Sequence, residues 1–310
     1  MPTRSKDLCL RGARFGPPEV AEAATRLRAN PEDLEARLLL IGVGSERTAH
    51  VLWLIEHEPR IEIGLFGLIG SDTESYAEGA RLWRAATQAS PTNATIAGNA
   101  AFYFALADSK EAELLLNEGR RAHPDDPEWA RRLAAFYEHE IMRAVLGDDS
   151  VEKRRLGELA LGSYLDVFDA EPDIFRRLDL IWSMRQSASA TTGPETSVLL
   201  QLADREAGRS ASAERQVERE HFAHMAAGLV ALVRAGIEGA EGELLAAPLA
   251  GLTVAPSMTL ANALLHRHRT SAVLAYLSAS EQNVGARAQL VRDWIAAIRR
   301  GETPLLEGGR

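Results

Sequence analysis

RRAHPDDPEWARRLAAFY, residues 120–137, joins two stretches of helical sequence across a short break at residues 123–127. Proline disfavours helical backbone in the residue before it, so the first helix is expected to end before Pro124. Asp126 can then accept hydrogen bonds from the first main-chain N–H groups of the next helix. The stretch therefore predicts two helices joined by a tight turn.

Similar breaks recur through the first 190 residues. In each of them a proline ends an amphipathic stretch, acidic or small polar residues follow, and a second apolar-periodic stretch begins. The prolines are Pro31, Pro59, Pro91, Pro124 and Pro172, at spacings of 28, 32, 33 and 48 residues. A period near 33 residues that contains two helices is typical of helical-repeat proteins.

The rest of the composition also favours helices. Ala, Leu, Arg and Glu dominate, and these residues have high helix propensity. The best β-favouring run is short, IEIGLFGLI at residues 61–69. We expect an all-α protein of roughly fifteen helices with short connections and no sheet.

The unit from Asn93 to Asp126 resembles a tetratricopeptide repeat. Its small and large residues match the positions at which that family packs its two helices. The matching residues are Ala100, Tyr103, Ala112, Leu116, Gly119 and Pro124. Asn99 departs from the pattern, because the family usually has leucine there. The resemblance implies an α-solenoid of stacked antiparallel helix pairs over residues 1–190, with a C-terminal helical extension or cap at 191–310.

In such an array the ligand lies on a concave face lined by the first helix of each pair. Mapped onto this chain, the resemblance implies a groove that includes Phe104, Glu128, Arg131 and Glu138. It implies a non-enzymatic scaffold that binds a protein or peptide partner and needs no cofactor. Helical arrays offer extended binding surfaces more readily than closed catalytic pockets.

The competing hypothesis is a metal-dependent enzyme or metal-binding protein centred on the C-terminal helices. Glu218, His221 and His224 are spaced by three residues in ERQVEREHFAHM (214–225), so they share one helix face. A Glu-x-x-His pair occurs in di-iron helix bundles, which also need a second copy and further carboxylates. The sequence offers no second copy with that spacing, and the alternative is a solvated helix face.

Charge and composition bound the remaining classes. The net charge of −9 disfavours nucleic acid or an anionic membrane as a partner. Cys9 is the only cysteine, which excludes an internal disulfide. The N-terminal stretch has no apolar run of signal-peptide length, so we expect a cytoplasmic protein. The Ala- and Arg-rich composition is typical of a high-GC bacterial genome.

Two further segments superficially match other classes. Residues 244–265 carry no charge over 22 positions, but they contain Pro248 and Pro256, so we expect two short buried helices and no membrane span. Gly42-Val43-Gly44-Ser45 lacks the lysine of a phosphate-binding loop, and we interpret it as a loop between helices.

Overall fold

The chain folds into α-helices, which confirms the predicted all-α class. A computed structural model describes residues 4–44, 46–67, 69, 74–105, 107–146, 150–188, 193–283 and 287–306. Across these ranges there are sixteen α-helices and no β-strand. Two short 3₁₀ turns lie at Gly64–Gly67 and Glu281–Asn283.

The helices are numbered in chain order. In the first part of the chain they are α1 Arg4–Gly12, α2 Pro17–Ala29, α3 Leu34–Val43, α4 Arg47–His57, α5 Glu74–Ala89, α6 Ala94–Phe104, α7 Ser109–Ala122 and α8 Pro127–Leu146. In the second part they are α9 Ser150–Ala170, α10 Ile174–Ala188, α11 Pro194–Ser212, α12 Gln216–Val233, α13 Ile237–Ala246, α14 Thr259–Leu265, α15 Thr270–Ser280 and α16 Ala288–Arg299.

The packing contacts divide the chain into an N-terminal unit, residues 1–143, and a C-terminal unit, residues 144–310. The division falls inside α8. The boundary at residues 190/191, between the predicted repeats and the C-terminal extension, stays a prediction, and the helices on either side of it, α10 and α11, pack against each other. Helices that follow each other in the chain also pack together, as α6 and α7 do.

Four of the five proline breaks begin a helix with a capping side chain. In each of them an Asp or Asn oxygen accepts a hydrogen bond from a main-chain N–H of the next helix. The pairs are Asp33 with Ala36 (2.9 Å), Asn93 with Thr95 (3.1 Å), Asp126 with Glu128 (3.0 Å) and Asp173 with Phe175 (2.8 Å). These bonds satisfy N–H groups that have no partner inside the helix, which explains why helices start there.

The break at residues 123–127 is also a packing joint. Trp129, in the first turn of α8, lies against Gly119 near the end of α7, where any added Cβ atom would overlap the indole ring. The His123 imidazole stacks near the same indole, with 6.1 Å between ring centroids. Trp129 is only 1% exposed. A glycine in α7 thus makes the slot that positions the start of α8.

A second close contact joins α1 to α3. A Cβ atom added to Gly12 would overlap the main chain of Leu39, and one added to Gly42 would overlap the main chain of Cys9. Gly42 therefore lies within a helix that packs tightly on its neighbour, and not in the predicted loop. Cys9 is fully buried at this crossing, and burial raises the pKa of its thiol to about 11.

The uncharged stretch at 244–265 divides as predicted. It comprises the end of α13, the non-helical residues 247–258 and α14. None of the helices in the described ranges combines the length and apolar character needed to cross a membrane.

Candidate functional site

The remaining proline break, at Pro59, differs from the four that carry a cap. Residues 60–63 are Arg-Ile-Glu-Ile, so no Asp, Asn, Ser or Thr is present to cap a new helix. In the described residues after α4, the chain is non-helical at 58–63 and then forms only the 3₁₀ turn Gly64–Gly67. We call residues 58–67 the uncapped segment.

Asn99 of α6 binds the main chain of the uncapped segment. Its side-chain Nδ2 donates to the Pro59 carbonyl oxygen at 2.9 Å and lies 3.5 Å from the Ile61 carbonyl oxygen. In a helix those carbonyls would bond along the chain, and a buried carbonyl without a donor is costly. The amide at the position where tetratricopeptide repeats usually have leucine therefore replaces hydrogen bonds that a helix would have made.

Arg132 of α8 provides the second connection to the same segment. Its side chain crosses α6 directly over Gly98, where an added Cβ atom would overlap the Arg132 Cδ atom. Beyond that crossing, the guanidinium NH1 lies 2.5 Å from Glu62 Oε1, and its Nε donates to Glu128 Oε1 at 2.8 Å. The ion pairs are about three-quarters shielded from solvent, so they are screened less than exposed pairs.

Between the uncapped segment and helices α4, α5, α6 and α8 lies a cavity of about 280 Å³. We call it the N-terminal cavity. Its walls are mostly aliphatic and aromatic, and among the residues that line it are Leu54, Ile55, Ile61, Trp83, Phe102 and Phe136. Polar and charged side chains also line it, including Lys6, Glu62, Asn99, Arg132 and His139. An apolar cavity with a few convergent polar groups is the usual form of a ligand site.

Trp83 of α5 lines the cavity and carries a buried polar group. The residue is 7% exposed, and its indole Nε1–H is buried without a hydrogen-bond acceptor among the described residues. The Nε1–H of Trp129 is also buried without an acceptor among the described residues, but Trp129 does not line the cavity. A buried donor that loses water without gaining an acceptor is costly.

The four residues predicted for a groove differ in their exposure. Phe104 is 2% exposed, and the Arg84 guanidinium lies 5.3 Å from its ring centroid. Glu128 pairs with Arg132, Arg131 is exposed with its NH1 3.7 Å from Glu128, and Glu138 is half-buried. Partner binding by these four residues stays a prediction.

Most of the α6 and α8 residues that line the cavity lie one or two positions away, along the chain, from those predicted for the groove. Phe102, Arg132 and His139 line the cavity, and the Phe102 and His139 rings lie 5.5 Å apart. The tetratricopeptide register missed them. The signal that could have found them is the Gly98-Asn99 pair inside the otherwise apolar α6, because glycine in a helix marks a close approach and a polar side chain there needs a partner.

The C-terminal residues proposed for metal binding each have a different partner. Glu218 Oε1 accepts from the Thr253 main-chain N–H at 3.3 Å and from the Thr253 hydroxyl, and these bonds lower the pKa of the Glu218 carboxyl. His224 Nδ1 lies 2.6 Å from Glu243 Oε2. Within the described ranges there is no group of three or more His, Cys, Asp or Glu side chains that could hold a metal ion.

His221 is fully buried, and both of its ring nitrogens are occupied. Nδ1 lies 3.0 Å from the Pro248 carbonyl oxygen, which can only accept, so Nδ1 carries the proton. Nε2 then accepts from the Ser257 main-chain N–H at 3.0 Å. This neutral ring holds both ends of the non-helical residues 248–257, and neither nitrogen has a free lone pair for a metal.

Ser257 belongs to a buried polar network around the same loop. Its hydroxyl donates to Glu206 Oε1 at 3.0 Å, and its carbonyl oxygen accepts from the Tyr276 hydroxyl at 2.7 Å. His221 bonds the main-chain nitrogen of Ser257 and not the hydroxyl, so the contact does not activate a nucleophile. The network attaches the loop to α11, α12 and α15.

We predict that Asn99→Leu loosens the uncapped segment. The change keeps the branched, four-atom side-chain shape but removes the donor to Pro59, so trypsin should cleave after the exposed Arg60 about fivefold faster, as expected for one lost hydrogen bond. Mass spectrometry of timed digests measures this rate. Asn117→Leu is the matched control, because Asn117 of α7 bonds Glu113 and Tyr137 instead. Equal cleavage of the Asn99 variant and the wild type would contradict the role of Asn99.

A second prediction concerns pH. Burial, with smaller contributions from Arg209 and His224, lowers the pKa of His221 from 6.5 to about 4. Between these values the unfolded chain binds a proton that the folded chain does not, so stability is lost as the pH falls from about 6.5 to about 4. The loss should approach about 3 kcal/mol.

Urea denaturation at pH 7 and pH 5 measures this effect. The wild type should lose more stability between the two values than His221→Gln, in which an amide can donate and accept but does not titrate. An identical loss in both proteins would show that His221 is not the titrating group.

Comparisons with known proteins do not add a family to this description. No protein-family model matches the chain, and neither does any curated protein or solved structure. The functional conclusion therefore depends on the residues and distances of the N-terminal cavity.

Proposed function

We propose that the protein is a non-enzymatic scaffold that binds a protein or peptide partner at the N-terminal cavity. The observation that carries this proposal is the cavity itself, a mostly apolar space of about 280 Å³ bordered by charged side chains. A partner segment could place one apolar side chain inside, while its main chain bonds the polar groups around it. Such anchoring in a desolvated pocket is how hot-spot residues bind.

We further propose that α6 and α7 form a tetratricopeptide-like helix pair. The small residues of the resemblance, Ala100 and Ala112, are fully buried, and Tyr103 and Leu116 are 2% and 1% exposed. Buried small residues let paired helices approach closely, and large ones fill the adjacent space. In that arrangement the uncapped segment takes the place of the first helix of the preceding pair, which leaves room for the cavity.

The side chains around the cavity favour binding over catalysis. The described residues that line it include no Ser, Thr or Cys, and the hydroxyl of the lining residue Tyr103 donates to the Tyr76 carbonyl oxygen at 3.0 Å. Arg132 and Glu62 are paired with each other, and Asn99 is used to hold the main chain. These groups shape the mouth of the cavity and can exchange hydrogen bonds with an extended peptide.

Selection from a random peptide library tests the proposal. Ala135 lies at the cavity and is exposed, so Ala135→Trp should fill the entrance without disturbing the core. Peptides selected on the wild type should bind this variant at least about tenfold more weakly, as expected when an anchor pocket is blocked. Fluorescence anisotropy measures the affinities.

Ala85→Trp is the matched control, because Ala85 is also exposed on a helix of the N-terminal unit but does not line the cavity. It should bind the selected peptides as the wild type does. Peptides that bind all three proteins equally would remove the cavity from consideration as the partner site.

A further inference from the structure

We propose that the C-terminal unit holds a second binding site, which takes a free α-amino acid in its zwitterionic form. The site lies where α11 turns into α12, and part of the non-helical residues 247–258 forms its other side. This proposal does not rest on the N-terminal cavity, and it concerns a different class of ligand.

The site is an open pocket of about 370 Å³, which we call the α11–α12 pocket. Its volume lies within the range of small-molecule sites, which begins at about 300 Å³. Its lining includes two arginines and two glutamates, Arg209, Arg215, Glu214 and Glu218. A concave surface of this size thus combines two cations with two carboxylates.

Glu218 lines this pocket with one unused carboxylate oxygen. The residue is only 6% exposed, and its Oε1 accepts from the main-chain N–H and the hydroxyl of Thr253. Oε2 has no hydrogen-bond partner among the described residues, and it is not sealed off inside the fold. The bonds from Thr253 and the charge of Arg215 lower the pKa of the carboxyl, so Glu218 is ionised at neutral pH. Its free oxygen can accept a charge-assisted hydrogen bond from an ammonium group.

Arg209 lines the same pocket with unused guanidinium N–H groups. Its guanidinium carbon lies 4.1 Å from the centroid of the Phe222 ring, a cation–π contact that holds the group in place. NH1 lies 3.3 Å from both oxygens of Glu206, which is longer than a typical charge-assisted hydrogen bond. Nε and NH2 have no hydrogen-bond partner in the described part of the chain. A planar guanidinium with such free N–H groups can bind both oxygens of a carboxylate.

The opposite charges share one pocket but do not pair with each other. Within the described ranges, neither Arg209 nor Arg215 forms an ion pair with Glu218. A simple anion would be attracted by the arginines but repelled by Glu214 and Glu218, and a simple cation would meet the reverse. An uncharged ligand would take water from both charges and replace it with nothing. The pocket therefore favours a ligand that carries both signs.

A free α-amino acid carries its two charges only a few bonds apart. Its carboxylate can bind the Arg209 guanidinium while its ammonium group donates to Glu218 Oε2. A peptide chain matches less well, because each of its ends carries only one of the two charges. The Val254 side chain, 42% exposed at the pocket, can contact an aliphatic side chain. We therefore expect leucine to be among the amino acids that bind.

Isothermal titration calorimetry of the wild type with L-leucine, N-acetyl-L-leucine and L-leucine amide tests the proposal. The acetyl group removes the ammonium charge and the amide removes the carboxylate charge, while the side chain stays the same. Leucine should bind at least about tenfold more tightly than either derivative, as expected for one charged hydrogen bond. Because this comparison uses the wild type alone, it does not depend on the stability of a variant. Absence of leucine binding, or equal binding of the three compounds, would overturn the proposal.

Glu218→Gln locates the bound amino acid. The amide oxygen can still accept from Thr253, so the substitution keeps that contact and removes the negative charge. Its affinity for leucine should fall at least about tenfold. Glu220→Gln is the matched control and should bind leucine as the wild type does, because Glu220 lies on the same helix, bonds Gln216 and does not line the pocket. Equal leucine affinity of Glu218→Gln and the wild type would contradict binding at this site.

Discussion

The N-terminal cavity depends on one side chain, Asn99, which holds a stretch of main chain that has no helix to satisfy it. The amide donates to the carbonyl oxygen of Pro59, and Arg132 reaches Glu62 in the same stretch across Gly98. Without these contacts the uncapped segment would expose polar main chain to an apolar wall. The opening is thus maintained by Asn99 and Gly98 of α6 and by Arg132 of α8. A regular helix would otherwise occupy this space.

The same physical rule explains both the regular and the irregular parts of the N-terminal unit. At three proline breaks of this unit a proline ends one helix, and an Asp or Asn side-chain oxygen caps the next. Asp33, Asn93 and Asp126 supply that oxygen in this unit, whereas Arg60 and Ile61 cannot. The difference of a few side-chain atoms after Pro59 therefore changes local structure, and the change in local structure creates the space of the N-terminal cavity.

The helical class and most joints could be predicted from the sequence, because caps and prolines act over a few residues. The face of α6 that lines the cavity could not, since it depends on contacts with distant residues such as Arg132. Gly42 looked like part of a loop because glycine is common in turns, but its role is a helix crossing against Cys9. His221 looked like a metal ligand because helical spacing places it near two other ligand types, but the main chain at Pro248 and Ser257 occupies both of its nitrogens.

A crystal structure determined under xenon pressure tests the central claim most directly, because xenon enters apolar cavities of this kind. The account predicts a xenon peak among Trp83, Phe102 and Phe136, with residues 58–63 non-helical and the Asn99 amide on the Pro59 carbonyl oxygen. An α-helix over residues 60–67, or side chains that fill the space and leave no xenon there, would contradict it.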